Sequence, residues 1–234
     1  MDIAAKISEN LERLEERIEA ACRRSGRKRS EIALMGVTKF HSLEMVEAAY
    51  KAGIKLFGEN RVQEGKEKFS KLWESHNRDS VELHLIGALQ RNKARAAASF
   101  FDCIQSVDRD SLVAELGGLT EKRENPLMIL LEYHTAEESK AGFPDMDSLF
   151  SAAEKVLSFH GLRPAGLMTM APFTDDAEAI RSSFRKLTLA RDELEKRFPK
   201  YWNCLSMGMT GDFEIAIEEG STLLRIGTAI FGDR

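Results

Sequence analysis

Two side chains in this sequence stand where chemistry is possible: an amine closing one apolar run and a guanidinium inside another. Residues 32–42 read IALMGVTKFHS, so a run with the look of a buried strand ends on Lys39. Strands stop at polar residues and lysines are common, so the position alone decides nothing. A lysine partly withdrawn from water and near a second cation has its charged form disfavoured, and the free amine attacks aldehydes to give a Schiff base. Arg225 interrupts TLLRIG (222–227). A guanidinium cannot shed its charge to tolerate burial, so it needs an acceptor: a carboxylate, a phosphate or a heteroaromatic nitrogen. A structural salt bridge would serve equally well. Nearby, SMGMTG (206–211) and IGTA (226–229) set glycines beside the hydroxyls of Ser206, Thr210 and Thr228. Such turns bring backbone N–H groups close to a phosphate. An amine for an aldehyde beside a phosphate cradle fits two ligands, a sugar phosphate or pyridoxal 5′-phosphate.

Those residues act together only if the fold gathers them. Short apolar runs occur at 32–38, 54–57, 82–86, 101–107, 127–132, 162–169, 202–206 and 222–226, which makes eight candidate strands. Segments with helical patterning separate them, among them SLEMVEAAYKAG, NRVQEGKEKFSKLWES and DDAEAIRSSFRKLTLARDELEKRF. Near-continuous apolar strands alternating with helices are what a parallel sheet covered by helices requires. Eight such units in 234 residues predict a single (β/α)8 TIM barrel over 1–234, close to the lower size limit of that fold. A doubly wound open sheet is the competing arrangement, weakened by the lack of G-x-G-x-x-G after the first strand. Ahead of the barrel, Ile3, Ile7, Leu11, Leu14, Ile18 and Ala21–Cys22 recur at helical spacing, so an extra N-terminal helix runs to about Gly26. In a barrel the C-terminal strand ends converge on one face, where such enzymes carry their sites. Lys39, GEN (58–60), HLIG (84–87), GLMTMAP (166–172), SMGMTGD (206–212) and RIGTA (225–229) all fall there.

Composition excludes several other classes. A formal charge of −4 argues against non-specific binding to nucleic acid or a membrane surface, and no apolar run approaches the ~20 residues that span a bilayer. The N-terminus is charged at every turn and has no apolar signal segment. Three separated cysteines suit a reducing cytoplasm, and the five histidines show no metal-ligand spacing.

The blocks VTKF (37–40), GENRVQE (58–64), HLIGALQRNK (84–93), ESKAGF (138–143), GLMTMAP (166–172) and SMGMTGDFEIAIEEGSTLLRIGTAIFG (206–232) closely resemble the pyridoxal phosphate homeostasis protein family. They occur in the family's order from the first strand to the C-terminus. The family looks like the barrel of alanine racemase, the fold type III pyridoxal-phosphate barrel, without that enzyme's second, β-rich domain. The resemblance implies pyridoxal 5′-phosphate as cofactor, held by Lys39 as a Schiff base. It implies phosphate contacts from Ser206, Gly227 and Thr228, with Asn60 alongside the cofactor and Arg225 facing the pyridine nitrogen. An arginine there keeps that nitrogen unprotonated and the ring a poor electron sink. Two departures are visible: Thr210 where the family often has serine, and Phe40–His41 after the lysine. Met168 and Met207 read as core. The implied function is a cytoplasmic carrier that buffers pyridoxal phosphate or delivers it to apo-enzymes, a monomer without strong catalysis of its own. The alternative is a racemase or lyase, which needs a second acid/base such as Tyr133 or His84; a Schiff-base aldolase for a sugar phosphate is the third reading. Arg91 and Lys93 would draw anions to the mouth, and Lys140 would offer a second amine during transfer.

Overall fold

The computed structural model describes residues 2–136 and 141–233. Its centre is a closed barrel of eight parallel strands in chain order: β1 (Ala33–Val37), β2 (Leu56–Glu59), β3 (Glu82–Leu85), β4 (Cys103–Val107), β5 (Leu127–Glu132), β6 (Leu162–Met168), β7 (Cys204–Ser206) and β8 (Leu223–Ile226). Each lies within the apolar run that predicts it except β2, which starts two residues late at Leu56 and runs two residues past the predicted end, to Glu59. The helices are α1 (Ile3–Ser25), α2 (Leu43–Lys51), α3 (Val62–Ser75), α4 (Ala94–Phe100), α5 (Asp110–Thr120), α6 (Met146–Leu157), α7 (Ala177–Arg197), α8 (Phe213–Glu218) and α9 (Thr228–Phe231). Among the described residues, no helix is long and apolar enough to cross a membrane.

The core has two layers, as a barrel requires. The larger one lies between strands and helices and includes Phe57, Phe69, Phe101, Phe184 and Trp202. A smaller cluster of Cys103, Leu130 and Met168, with Met128 and Cys204 against it, lies in the barrel's interior. Cβ atoms alternate along a strand, so residues paired across parallel strands share a face. Glu132 pairs with Met168, and Met168 with Ser206. Ser206 pairs with Leu223, two residues before Arg225, which pairs with Met35. Glu132, Ser206 and Arg225 therefore all belong to the interior face, near the C-terminal end. A one-residue irregularity between Ile129 and Leu130 sets this register for β6. At the bulge Gly166 has φ +157°, and a Cβ there would stand 1.8 Å from Cys204 O, so only glycine fits.

Helix α1 packs against α2, α8 and α9. It buries Ile7, Leu14, Ile18, Ala21 and Cys22, and Gly26 in the left-handed region (φ 68°) closes it. Asn10 Nδ2 donates to Ile230 O at 2.9 Å, and Arg17 pairs with Glu214 at 2.6 Å. The extra helix thus braces the two turns that follow β7 and β8.

Candidate functional site

Arg225 organises the C-terminal half of the barrel. It is 4 % exposed, and its Nη1 donates to Ser206 O (2.6 Å) and Ser206 Oγ (2.7 Å) while Nη2 donates to Thr169 O (2.7 Å). Among the described residues no carboxylate pairs with it; the acceptors are carbonyls and a hydroxyl. Burial pulls its pKa below the ordinary value, while the negative charges of Asp212 and Glu132 oppose that pull. The Nε–H and one terminal N–H remain for a ligand.

From Arg225 a chain of hydrogen bonds crosses the barrel. Ser206 Oγ donates to Gln105 Oε1 at 2.6 Å, and Gln105 Nε2 lies 2.7 Å from His84 Nδ1. With Nδ1 accepting, the ring proton sits on Nε2, 2.7 Å from Glu82 Oε1. That hydrogen bond holds the Glu82 carboxyl below its ordinary pKa. His84 is 5 % exposed, satisfied on both nitrogens, and lines a cavity of about 650 Å³ at the opposite, N-terminal end of the strands. It is therefore not placed to act at the mouth.

Lys39 follows β1, half-buried, and among the described residues its amine has no hydrogen bond or ion pair. Its two neighbours, by contrast, are tightly held. Thr38 is fully buried; its hydroxyl donates to Glu59 Oε1 (2.6 Å), and its carbonyl accepts from Lys68 Nζ (2.6 Å). Phe40 adopts φ 66°, unusual for a side-chain-bearing residue, and its N–H donates to Glu64 Oε1 (2.6 Å). Lys68, reaching back from α3, also bonds Glu59 Oε1 (2.7 Å) and Glu64 Oε1 (3.1 Å). A Glu59–Lys68–Glu64 cluster, buried at Glu59 and Lys68 and half-buried at Glu64, thus clamps the backbone on both sides of Lys39. Burial raises the pKa of Glu59 despite Lys68 and Thr38. His41 stacks on Phe231 of α9, with centroids 4.7 Å apart, joining the turn after β1 to the turn after β8.

Asn60 follows β2. Its Oδ1 is buried without a partner among the described residues. Its backbone meets the end of β3 so closely that a Cβ on Gly87 would stand 2.2 Å from Asn60 O. Backbone cannot yield by that much without moving Asn60. Gly87→Ala should therefore lower stability by about 1–3 kcal/mol and weaken ligand binding at Asn60, read by thermal unfolding and by titration on the same sample. A cavity of about 500 Å³ adjoins this contact, lined by Asn60, Arg61, Gly87, Leu89, Gln90 and Lys93. Arg91 instead points to solvent and pairs with Glu115 at 3.0 Å; it and Lys93 lie on a short 3₁₀ turn before α4.

The turns after β7 and β8 meet: Ala229 N donates to Thr210 Oγ1 at 3.3 Å, and Thr228 is exposed beside it. Gly208 takes φ +98°, with Ala216 Cβ only 2.7 Å from where its own Cβ would be. Ser206 lies deeper than these turns. Its hydroxyl is already engaged with Gln105 and Arg225, so a phosphate contact from that atom would compete with both bonds. Met168 and Met207 are core residues. Tyr133 turns outward between β5 and the helices, with Lys186 Nζ 5.3 Å over its ring. Lys140 lies outside the described residues.

The geometry defines a (β/α)8 barrel with an amine, a buried guanidinium and a glycine-hydroxyl turn pair at its C-terminal mouth. A profile of the family described as alanine racemase, N-terminal domain, matches residues 10–234. Alanine racemase of Clostridium difficile superposes with a TM-score of 0.79 at 12% identity, over 98% of this chain and 57% of that one, a likeness of fold. Much nearer relatives exist. The pyridoxal phosphate homeostasis protein of Vibrio cholerae is 37% identical over 97% of this chain and 96% of its own length, and that of Aquifex aeolicus 38% identical over 97% of each. PipY of Synechococcus elongatus, solved with pyridoxal phosphate bound, superposes with a TM-score of 0.83 at 32% identity, over 97% of this chain and 100% of that one. The chain belongs to the pyridoxal phosphate homeostasis protein family, whose barrel is that of the alanine racemase N-terminal domain.

Proposed function

We propose that this chain holds pyridoxal 5′-phosphate as a Schiff base on Lys39 and buffers the cofactor or delivers it to apo-enzymes, without strong catalysis of its own. The observation that carries this reading is a set of unpaired groups around one mouth: the Lys39 amine, the orphaned Asn60 Oδ1 and the spare N–H groups of Arg225. Each suits one part of that cofactor: amine for aldehyde, amide alongside the ring, guanidinium for ring nitrogen. The backbone and hydroxyls of Gly227, Thr228 and Thr210 would hold the phosphate, with Ser206 fixing Arg225 from below. Relatives named pyridoxal phosphate homeostasis proteins, and a related structure with pyridoxal phosphate bound, support a role in handling this cofactor. The cofactor supplies the aldehyde; the protein supplies the amine and the charge at the ring.

The carrier reading is favoured over a racemase because the two side chains considered as a second acid/base do not serve. Tyr133 faces the outer helices, and His84 is engaged at the far end of the interior. An aldolase acting on a sugar phosphate would have no use for a guanidinium aimed at a ring nitrogen.

The test is an absorbance titration with pyridoxal 5′-phosphate, followed by borohydride reduction and peptide mass mapping. The expected result is a visible band and a reduced adduct on the peptide containing Lys39, both lost in Lys39→Ala. An adduct spread over surface lysines would refute the site. Saturable turnover of an amino acid, lost in Lys39→Ala, would refute the carrier reading and leave the site standing.

A further inference from the structure

Glu132 ends β5, on the opposite side of the ring of strands from β1 and Lys39. Its register through Met168 to Ser206 sets it on the interior face, since Ser206 Oγ bonds Arg225 and Gln105 there. It is 5 % exposed, and among the described residues its carboxyl has neither a hydrogen bond nor an ion pair.

The surroundings explain what state such a group prefers. On the neighbouring strand and just beyond it, Met168 and Thr169 bring no charge. Asp108, after β4, adds a negative charge, and Arg225, from β8, a positive one whose hydrogen bonds all go elsewhere. Asp212, after β7, faces Arg225 in turn. A carboxylate without donors in such a place is disfavoured against the neutral acid. Burial first, and Asp108 second, push the Glu132 pKa up to about 7 against the pull of Arg225.

We propose that Glu132 is the proton-holding group of this mouth: it meets an anionic heteroaromatic phosphate as the neutral acid, donates its hydrogen to that ligand, and weakens the hold when it ionises. The proposal rests on the reading of the mouth as a pyridoxal 5′-phosphate site. An incoming phosphate ester carries about −1.5 to −2 charges at neutral pH. That charge, brought into the same mouth as a carboxyl with no other donor, favours the protonated form further, and by linkage the protonated form binds the ligand more tightly. Loading then takes up a proton, and rising pH promotes release.

Pyridoxine 5′-phosphate, which lacks the aldehyde, separates this effect from Lys39 chemistry. Calorimetric titration of the full chain at pH 7.5 and 8.5, in buffers of different ionisation heat, reads the protons exchanged. Above pH 7.5 the phosphate of the ligand is almost wholly dianionic, given a second pKa of about 6, and contributes little. The expected result is proton uptake on binding and a several-fold weaker Kd at pH 8.5. In Glu132→Gln both effects should vanish; in Asp212→Asn the uptake should persist. Uptake and pH dependence unchanged in Glu132→Gln, or binding by the wild type without uptake, would overturn the role of Glu132 and leave the cofactor site intact. If the wild type binds neither this ligand nor pyridoxal 5′-phosphate, the reading of the mouth falls together with the proposal.

Discussion

Lys68→Met should lower the midpoint of thermal unfolding by roughly 10 °C and slow the fixation of pyridoxal 5′-phosphate on Lys39, although Lys68 never reaches the mouth. Removing one partner of a buried ion pair costs about 3–5 kcal/mol, because the other charge is left in a poor solvent. In a chain of this size each kcal/mol moves the midpoint by about 2–4 °C. Lys68 is 8 % exposed and bonds Glu59, which is fully buried and whose second oxygen has no partner among the described residues. Methionine fills the space and supplies none of the donors. Glu59 would then become protonated, and Thr38 O would lose its Nζ contact. The chain on the N-terminal side of Lys39 would lose one of its clamps, keeping the Thr38 hydroxyl on Glu59 and the Thr38 N–H on Gly58 O. Differential scanning calorimetry and the rate of appearance of the visible band test the two halves separately. Glu59→Gln with Lys68→Met should recover much of the stability, since an uncharged pair no longer needs compensation, while the loading rate stays low. A loss under about 1 kcal/mol for the single variant is the scale of an exposed pair and would mean that the cluster is solvated after all.

The barrel is readable in the sequence because its signal is local. A strand buried on both faces is a short apolar run, and eight such runs with helical segments between them leave little choice of architecture. Lys39 and Arg225 stand out by the same local contrast, a charge at the edge of or inside an apolar run. Gln105 and Glu132 carry that signal too, in FDCIQSV and LMILLE, yet a single polar residue in a strand does not say whether it faces the interior or the helices. That depends on register, and here on one irregularity at Ile129/Leu130. Lys68 is harder still. In NRVQEGKEKFSKLWES it is one of three lysines on a polar-looking helix, and only the pairing of β1 with β2 brings it beneath Thr38. The same holds for Ser206: its place in a glycine-rich turn suggests a phosphate contact, whereas its partner Gln105 lies 101 residues away and fixes the hydroxyl inside the barrel.

The ligand-free protein should itself be more stable at pH 8 when Glu132 is replaced by glutamine, a gain that a merely exposed carboxylate would not give. The sign follows from proton linkage. An unfolded glutamate titrates near 4.5, and the folded one at about 7. Between those values the folded state binds more protons than the unfolded state, so stability falls as pH rises. The contribution is complete below pH 4.5 and lost on passing through the folded value of about 7. The full difference corresponds to about 3 kcal/mol at the linkage rate of 1.36 kcal/mol per pKa unit. Glutamine, of the same shape and permanently neutral, does not pass through that loss. The two proteins should therefore melt alike at pH 5, and Glu132→Gln should melt roughly 6–12 °C higher at pH 8, at about 2–4 °C per kcal/mol. Unfolding scans from pH 5 to 8.5 on both apo-proteins decide it. Parallel curves would place the Glu132 carboxyl in contact with water or with an unrecognised donor, and the mouth would then hold its ligand without regard to that proton. Diverging curves would show a group kept at a cost to stability, which is characteristic of residues retained for a site rather than for the fold.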